Sequence, residues 1–289
     1  MKKVIYFILG AFAMGSMLVS CDPMHQSSPS EDVLTSADQI DATVTPILNA
    51  SGQNSNKVVC KYNGKGMAKF SSVTTLVSNN DTLQLFALGN QVVTCTVQGQ
   101  DGATFSKDYT INVQSMDYPV DAWWTTLTNG SSKTWVWDDT SADGVWGNGG
   151  YAGNTSPGWW KVSLADIEGQ ATGKAPTTSS AGDGSNASFT LTLAGAKAEK
   201  SDGTSGSFAF DKKVQDASSG ATDETGWAIG HLTFTGVFPP MGILVNVGNQ
   251  VVYNYRILKL TNDKLVLSVP EYESNSAWGS AWFWMFKAK

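Results

Sequence analysis

Tryptophans in irregular stretches are the residues of this chain best suited to contact a ligand. An indole covers the C–H face of a pyranose while polar neighbours bind its hydroxyls. Trp146 sits in the glycine-rich stretch 143–154, DGVWGNGGYAGN, and Trp278 sits in 273–280, ESNSAWGS. Glycine lets backbone approach a ligand, and Asn148, Tyr151 and Asn154 add donors and acceptors. Trp159 and Trp160 are adjacent, so in an extended chain they point to opposite faces, one toward a core and one outward. With Tyr272 at the head of the second stretch, the expected ligand set is Trp146, Asn148, Tyr151, Asn154, Trp159, Tyr272 and Trp278. The competing reading is that Trp146 and Trp278 only plug the open end of a barrel.

Other chemistry has thinner support. Glycoside hydrolysis needs two carboxyl groups about 5 to 10 Å apart across a cleft. Asp138 with Asp139, Asp223 with Glu224, and Glu271 with Glu273 are the candidates, but no E-x-D-x-x-E run accompanies them. His231 lies in GHLTFT, where alternation sets it opposite Leu232 and Phe234, and no G-x-S-x-G is present. A non-catalytic role is therefore favoured. Asp139 to Gly144, DTSADG, opens like a calcium loop, but position 12 is Gly150 where a bidentate glutamate is needed. A plain turn fits it better than calcium, and no other cofactor is implied.

Composition narrows the partners. The formal charge is −6, and Arg256 is the only arginine among nineteen basic residues. Nucleic-acid readers carry a basic patch rich in arginine, so nucleic acid is not an expected partner. The two histidines and three cysteines are scattered, without zinc-type spacing.

The elements that would position these residues are strands. Glycine and polar turn clusters recur, long 3.6-period apolar runs are absent, and an all-β fold follows. All eleven tryptophans lie from Trp123 onward, which divides the chain near 116–121. In the first half, 57–62, 82–86, 91–97 and 106–113 alternate with period two. Val58, Cys60 and Tyr62 share one face of their strand, and Val93, Cys95 and Val97 one face of theirs. If both faces form a core, Cys60 and Cys95 can meet as a disulfide or remain two buried thiols. In the second half the strand-like runs are 133–138, 159–163, 187–193, 207–210, 228–235, 251–260 and 264–269. The chain closes on AWFWMF, 281–286, which reads as a central strand apolar on both faces. Trp135, Trp137, Trp282, Trp284 and Phe286 are expected in the core.

Two resemblances attach to these halves. The string LGNQVVTCTVQGQDGATFSKDYTINV is similar to the closing hairpin of the PKD-like, immunoglobulin-type modules common in Bacteroidota surface lipoproteins, with Gln91 where an aromatic usually stands. That likeness covers 37–115 and implies a spacer. From Leu127 to Lys289, the runs LTNGSSKTWVWD, GVWGNGGY, PGWW and YRILKLTNDKLVL resemble the C-terminal domains of lipoproteins from polysaccharide-utilisation clusters. What this implies is capture of a polysaccharide or oligosaccharide beside a transporter or hydrolase.

The first residues read as an export signal. Lys2 and Lys3 precede an apolar run from Val4 to Met14, and LVSC at 18–21 matches the bacterial lipobox. The run is short of the roughly 20 residues that span a bilayer. Cleavage before Cys21 and lipidation of its sulfur are expected, removing two lysines. The expected organisation is a signal (1–20), a lipidated tether (21–36), a PKD-like sandwich (37–115) and a Trp-rich β-sandwich or jelly-roll-like domain (118–289). Anchoring at the outer membrane is expected. The acidic run that marks outward-facing lipoproteins in Bacteroidota is reduced here to Asp22, then Glu31 and Asp32, so the outward face is only slightly favoured.

Overall fold

The computed structural model describes residues 34–99, 102–271 and 279–289. Cys21 with the signal and most of the tether lies outside them, as do Tyr272 and Trp278. Among the described residues, no helix is long and apolar enough to cross a membrane.

Period-two alternation in the first half produces seven strands: β1 (Ala42–Leu48), β2 (Asn54–Tyr62), β3 (Ala68–Ser71), β4 (Thr75–Val77), β5 (Asn80–Gln84), β6 (Gly89–Gln98) and β7 (Thr104–Val113). They form one sheet in the order β1-β2-β5 and another in the order β4-β3-β6-β7. β6 and β7 pair without interruption from Gly89↔Val113 to Gln98↔Thr104. The alternate residues Val58, Cys60, Tyr62, Val93, Cys95 and Val97 meet in one core with Phe70 and Leu85. Cys60 and Cys95 thus come from opposite sheets, but they are free thiols, and the disulfide expected as one alternative is not formed. Burial pushes the thiols up, to about 12 for Cys60 and about 11 for Cys95. Ile40 is buried and Leu34 packs on the same core, so 34–36 belong to this module and not to the tether.

The second half has its own core. Asp121 caps α1 (Ala122–Thr128) by accepting from the Trp123 amide at 2.9 Å. The chain continues through β8 (Ser132–Trp137), β9 (Trp146–Gly150), β10 (Trp160–Val162), α2 (Ile167–Gly173) and α3 (Ser180–Asp183). The remaining strands are β11 (Ser188–Thr192), β12 (Lys197–Lys200), β13 (Ser205–Asp211), β14 (Gly230–Thr235), β15 (Ile243–Leu244), β16 (Gln250–Val251), β17 (Asn254–Leu260), β18 (Lys264–Pro270) and β19 (Ser280–Ala288).

Eight of these close a barrel in the order β8-β11-β12-β13-β14-β17-β18-β19, with β19 pairing back onto β8. All ring pairs are antiparallel, and neighbours follow one another along the chain. The ring is therefore an up-and-down meander. The expected jelly-roll topology, with its Greek-key connections, is not what forms. Short hairpins join β11 to β12, β12 to β13 and β17 to β18, while the connection from β8 to β11 carries β9, β10, α2 and α3, and that from β14 to β17 carries β15 and β16.

Eight strands enclose a space that side chains can fill. Trp135, Trp137, Phe189, Leu232, Phe234, Tyr255, Trp282, Trp284 and Phe286 fill it. On β11 to β14 the alternate outward residues are polar, among them Thr190, Glu199, Ser207 and Thr233. That is the inverse of a membrane-spanning barrel, whose outer band is apolar.

The barrel wall forks at one point. β19 pairs with β8 from Phe286↔Trp137 onward, and with β9 from Ser280↔Gly150 to Trp284↔Trp146. Asp138 and Val145 bridge the two stretches by bonding both backbone sides of Met285 at 2.8 Å. β8 leads on to β11 and β9 to β10, and α2 lends Ile167 and Ala171 to the core between them. The two modules are clasped at the boundary. Asn56 exchanges side-chain bonds with Tyr118, at 2.9 Å each way, and Phe86 meets Trp124 edge-on at 5.4 Å.

Candidate functional site

The glycine-rich stretch read as a loop holds strand β9 at its centre, and the glycines of that strand are there for close packing. Gly147 has φ +151, and a Cβ there would stand 2.0 Å from the Trp160 carbonyl oxygen. Only glycine allows β10 to approach this closely. The Asn148 carbonyl accepts from the amides of Gly158 and Trp159, at 2.9 and 3.0 Å, and the Asn154 side chain accepts from Gly150 at 2.7 Å. The result is a tight hairpin with β10 at the free edge of the sheet.

The expected ligand residues part company here. Trp146 is fully buried and packs on Trp282 with ring centroids 4.6 Å apart. Strand alternation aims it into the barrel, so ligand contact by Trp146 is corrected to a core role. Tyr151 is also buried, its hydroxyl donating to Glu224 Oε1 at 2.5 Å. Asn154 is partly engaged internally, its carbonyl accepting from Trp227 Nε1 at 2.6 Å and its side-chain oxygen from the Gly150 amide. Tyr272 and Trp278 fall outside the described residues.

Trp159 stands apart, at 58% exposure with its ring over Gly150. Trp160, at 37%, leans inward to meet Trp146 and Trp282 edge-on at 5.5 and 5.6 Å. The expected split of this pair into an outward and an inward member is what the structure has, though the inward one keeps part of its face open. Asn148 faces Trp160 across the hairpin. Its side-chain oxygen, and Trp146 Nε1, are enclosed without a hydrogen-bond partner among the described residues. The Lys174 ammonium stands 5.8 Å from the ring centroids of both Trp146 and Trp160. Sequence reading missed Lys174 because it lies in a polar, helical segment with no aromatic of its own.

The carboxylate pairs do not combine. Asp138 and Asp139 go to different lysines, Lys264 and Lys287, each at 2.5 Å. Glu271 accepts from Trp282 Nε1 at 2.6 Å and from Ser280, while Glu273 lies outside the described residues. Asp223 caps the Thr225 amide, whereas Glu224 is buried. The calcium-like run 139–144 is the turn that carries the chain from β8 to β9. Its Asp143 binds Lys161 at 2.5 Å and Ser156 at 2.7 Å, so its two end carboxylates serve separate partners.

A buried polar group that sequence reading did not assemble lies on the outer wall. Arg256 Nε donates to Glu224 Oε1 at 2.9 Å, and His231 Nε2 stands 3.8 Å from Oε2, beyond hydrogen-bond range. Burial raises the Glu224 carboxyl, but His231, Tyr151 and Arg256 outweigh it and hold it down at about 2. His231 does face outward, as alternation requires, yet the segment around Glu224 covers it. The signal available was that the only arginine sits one strand from the only histidine of the domain, at paired positions His231↔Arg256.

Scans of the sequence against family models and against characterised proteins give no match.

Proposed function

We propose that this is a membrane-anchored, non-catalytic glycan-binding lipoprotein whose contact surface is the exposed pair Trp159 and Trp160. The observation that carries the reading is Trp159 left open at a sheet edge beside the part-open Trp160, in a domain that buries Trp135, Trp146, Trp282 and Trp284 completely. Exposing that much aromatic surface is costly unless it serves contact. Gly150 beneath Trp159 and the hydrogen-bonded hairpin hold the platform stiff, which lowers the cost of ordering it on binding.

In this reading Cys21 carries lipid at the outer membrane, the domain faces outward, and 37–115 is a PKD-like spacer. The spacer assignment is supported by two sheets ordered β1-β2-β5 and β4-β3-β6-β7 around one core, an immunoglobulin-type arrangement. A polysaccharide held this way stays near transporters or hydrolases of the same membrane.

The burial of Trp146 and Tyr151 favours a second reading, a structural or interaction lipoprotein with no glycan site. A glycan array separates the two. Probed with the chain lacking its first twenty residues and carrying Cys21→Ser, it should show binding to a related set of glycans. Binding to none would leave the structural reading.

A further inference from the structure

We propose that the Trp160 surface takes carboxylated glycans, with the Lys174 ammonium pairing the carboxylate of a uronic acid stacked on the indole. The inference rests on the glycan-binding reading and names the sugar class within it.

Lys174 follows α2, and its Nζ bonds Gln170 Oε1 at 2.8 Å. An ammonium has three donors, and that bond uses one. Among the described residues no carboxylate meets it. Several other partly or fully buried lysines are paired, although Lys57, over the Tyr118 ring at 4.3 Å, also meets no carboxylate among the described residues. Lys200 goes to Asp183 at 2.6 Å, Lys264 to Asp138 and Lys287 to Asp139. Lys133, which also lacks a carboxylate, is satisfied by the carbonyls of Thr126 and Asn262 at 2.5 and 3.0 Å.

Its surroundings explain why it would welcome an anion. The rings of Trp146 and Trp160 displace water from it, and burial lowers its pKa with no neighbouring carboxylate to offset that. A carboxylate arriving here replaces lost hydration with a charge-assisted bond in a partly dry site. Position matters too. The ammonium stands 5.8 Å from the Trp160 ring centroid, near enough to meet a carboxylate on a sugar touching the open part of that indole. A single ammonium suits a monoanion. Sulfated or phosphorylated sugars are more often held by arginine forks, and the only arginine is committed to Glu224.

Two simpler roles compete. A lysine after a helix favours its carbonyl end, and a cation over indole stabilises the fold. Either would make Lys174 structural.

The test is calorimetric titration of the chain with galacturonan and glucuronan, each beside its carboxyl-reduced, neutral counterpart, at low and raised salt. The parent should bind an acidic polymer at least about tenfold more tightly than its neutral form, and lose that margin as salt rises. Lys174→Gln should erase the margin while keeping the neutral affinity and the melting temperature. Trp160→Ala should weaken both forms. Equal affinity for acidic and neutral polymers, or a margin that survives Lys174→Gln, overturns the inference. Binding of neutral glycans on the array without binding either uronan overturns this inference alone. Binding of no glycan overturns the underlying reading as well.

Discussion

Glu224 shows how one residue can tie a covering segment to a barrel wall. Its carboxylate is fully buried and accepts from Tyr151 on one loop and Arg256 on β17. With a folded pKa near 2 against an ordinary 4.5, it contributes stability that is fully present above pH about 4.5. That contribution is lost as pH falls toward 2, and is worth about 3 kcal/mol. Melting curves between pH 6 and 2 should show this loss, and Glu224→Gln should flatten it. Removing the charge also strands Arg256 in a buried site, so Glu224→Gln should cost about 3 to 5 kcal/mol at neutral pH. A variant as stable as the parent would show that the group is not coupled to folding.

The thiols make a second residue-scale case. Alternation alone put Cys60 and Cys95 on facing core surfaces, and their strands occupy those positions. Whether they bond was not legible, because sulfur separation depends on sheet spacing and not on pattern. Two buried thiols with pKa values raised to about 12 and about 11 should resist iodoacetamide at neutral pH in the folded chain. Both should react in denaturant without reductant. Failure to react until reductant is added would reveal a bridge.

At the scale of elements, strands written in alternating apolar residues were legible. The run 281–286 was read as apolar on both faces, and β19 fills the barrel with Trp282, Trp284 and Phe286. Its other face, Ala281 and Phe283, packs under Tyr151 and Trp227. The hairpin of β17 and β18 was legible for the same reason. β1, β3, β4, β9, β12 and β15 were not, and two of them show why. β12 is Lys-Ala-Glu-Lys, with little apolar signal because its outer face is wet and Ala198 is small. β9 is Trp-Gly-Asn-Gly-Gly, whose glycines normally signal a turn. Here they are demanded by the backbone of β10 lying against them, a tertiary cause that local pattern does not carry. The same misreading moved the expected site onto Trp146. Gly147 tests this account: a methyl group there meets the Trp160 carbonyl at 2.0 Å with φ unsuited to alanine. Gly147→Ala should cost about 2 kcal/mol or more and free the hairpin carrying Trp159 and Trp160. Wild-type stability, by chemical denaturation, would mean β10 is not held as described.

The whole molecule joins two independently cored modules by a clasp at Tyr118 and Phe86. The all-β class was legible from composition and the period-two runs. The closed meander was not, because strand order depends on which hairpins pair across the ring. In the proposed reading, the chain's place in the cell depends on lipidation of Cys21, which lies outside the described residues. Mass spectrometry of membrane-bound protein should find an acylated cysteine at the mature N-terminus, and Cys21→Ser should shift the protein out of the membrane fraction. An unmodified N-terminus elsewhere would remove the anchor from the account.

In the proposed reading Trp159 and Trp160 are exposed for glycan contact while the buried tryptophans hold the fold. The most direct measurement compares Trp159→Ala with Trp284→Ala, taking glycan affinity and melting temperature on the same samples. Trp284 is fully buried, with Nε1 bonded to the Met241 carbonyl at 2.9 Å, and its loss should destabilise by about 3 to 5 kcal/mol. Trp159→Ala should keep the parent melting temperature and lose about 2 kcal/mol of binding, roughly thirtyfold in affinity. Unchanged affinity in Trp159→Ala, or a loss of stability like that of Trp284→Ala, would rule out a glycan-contact role for Trp159.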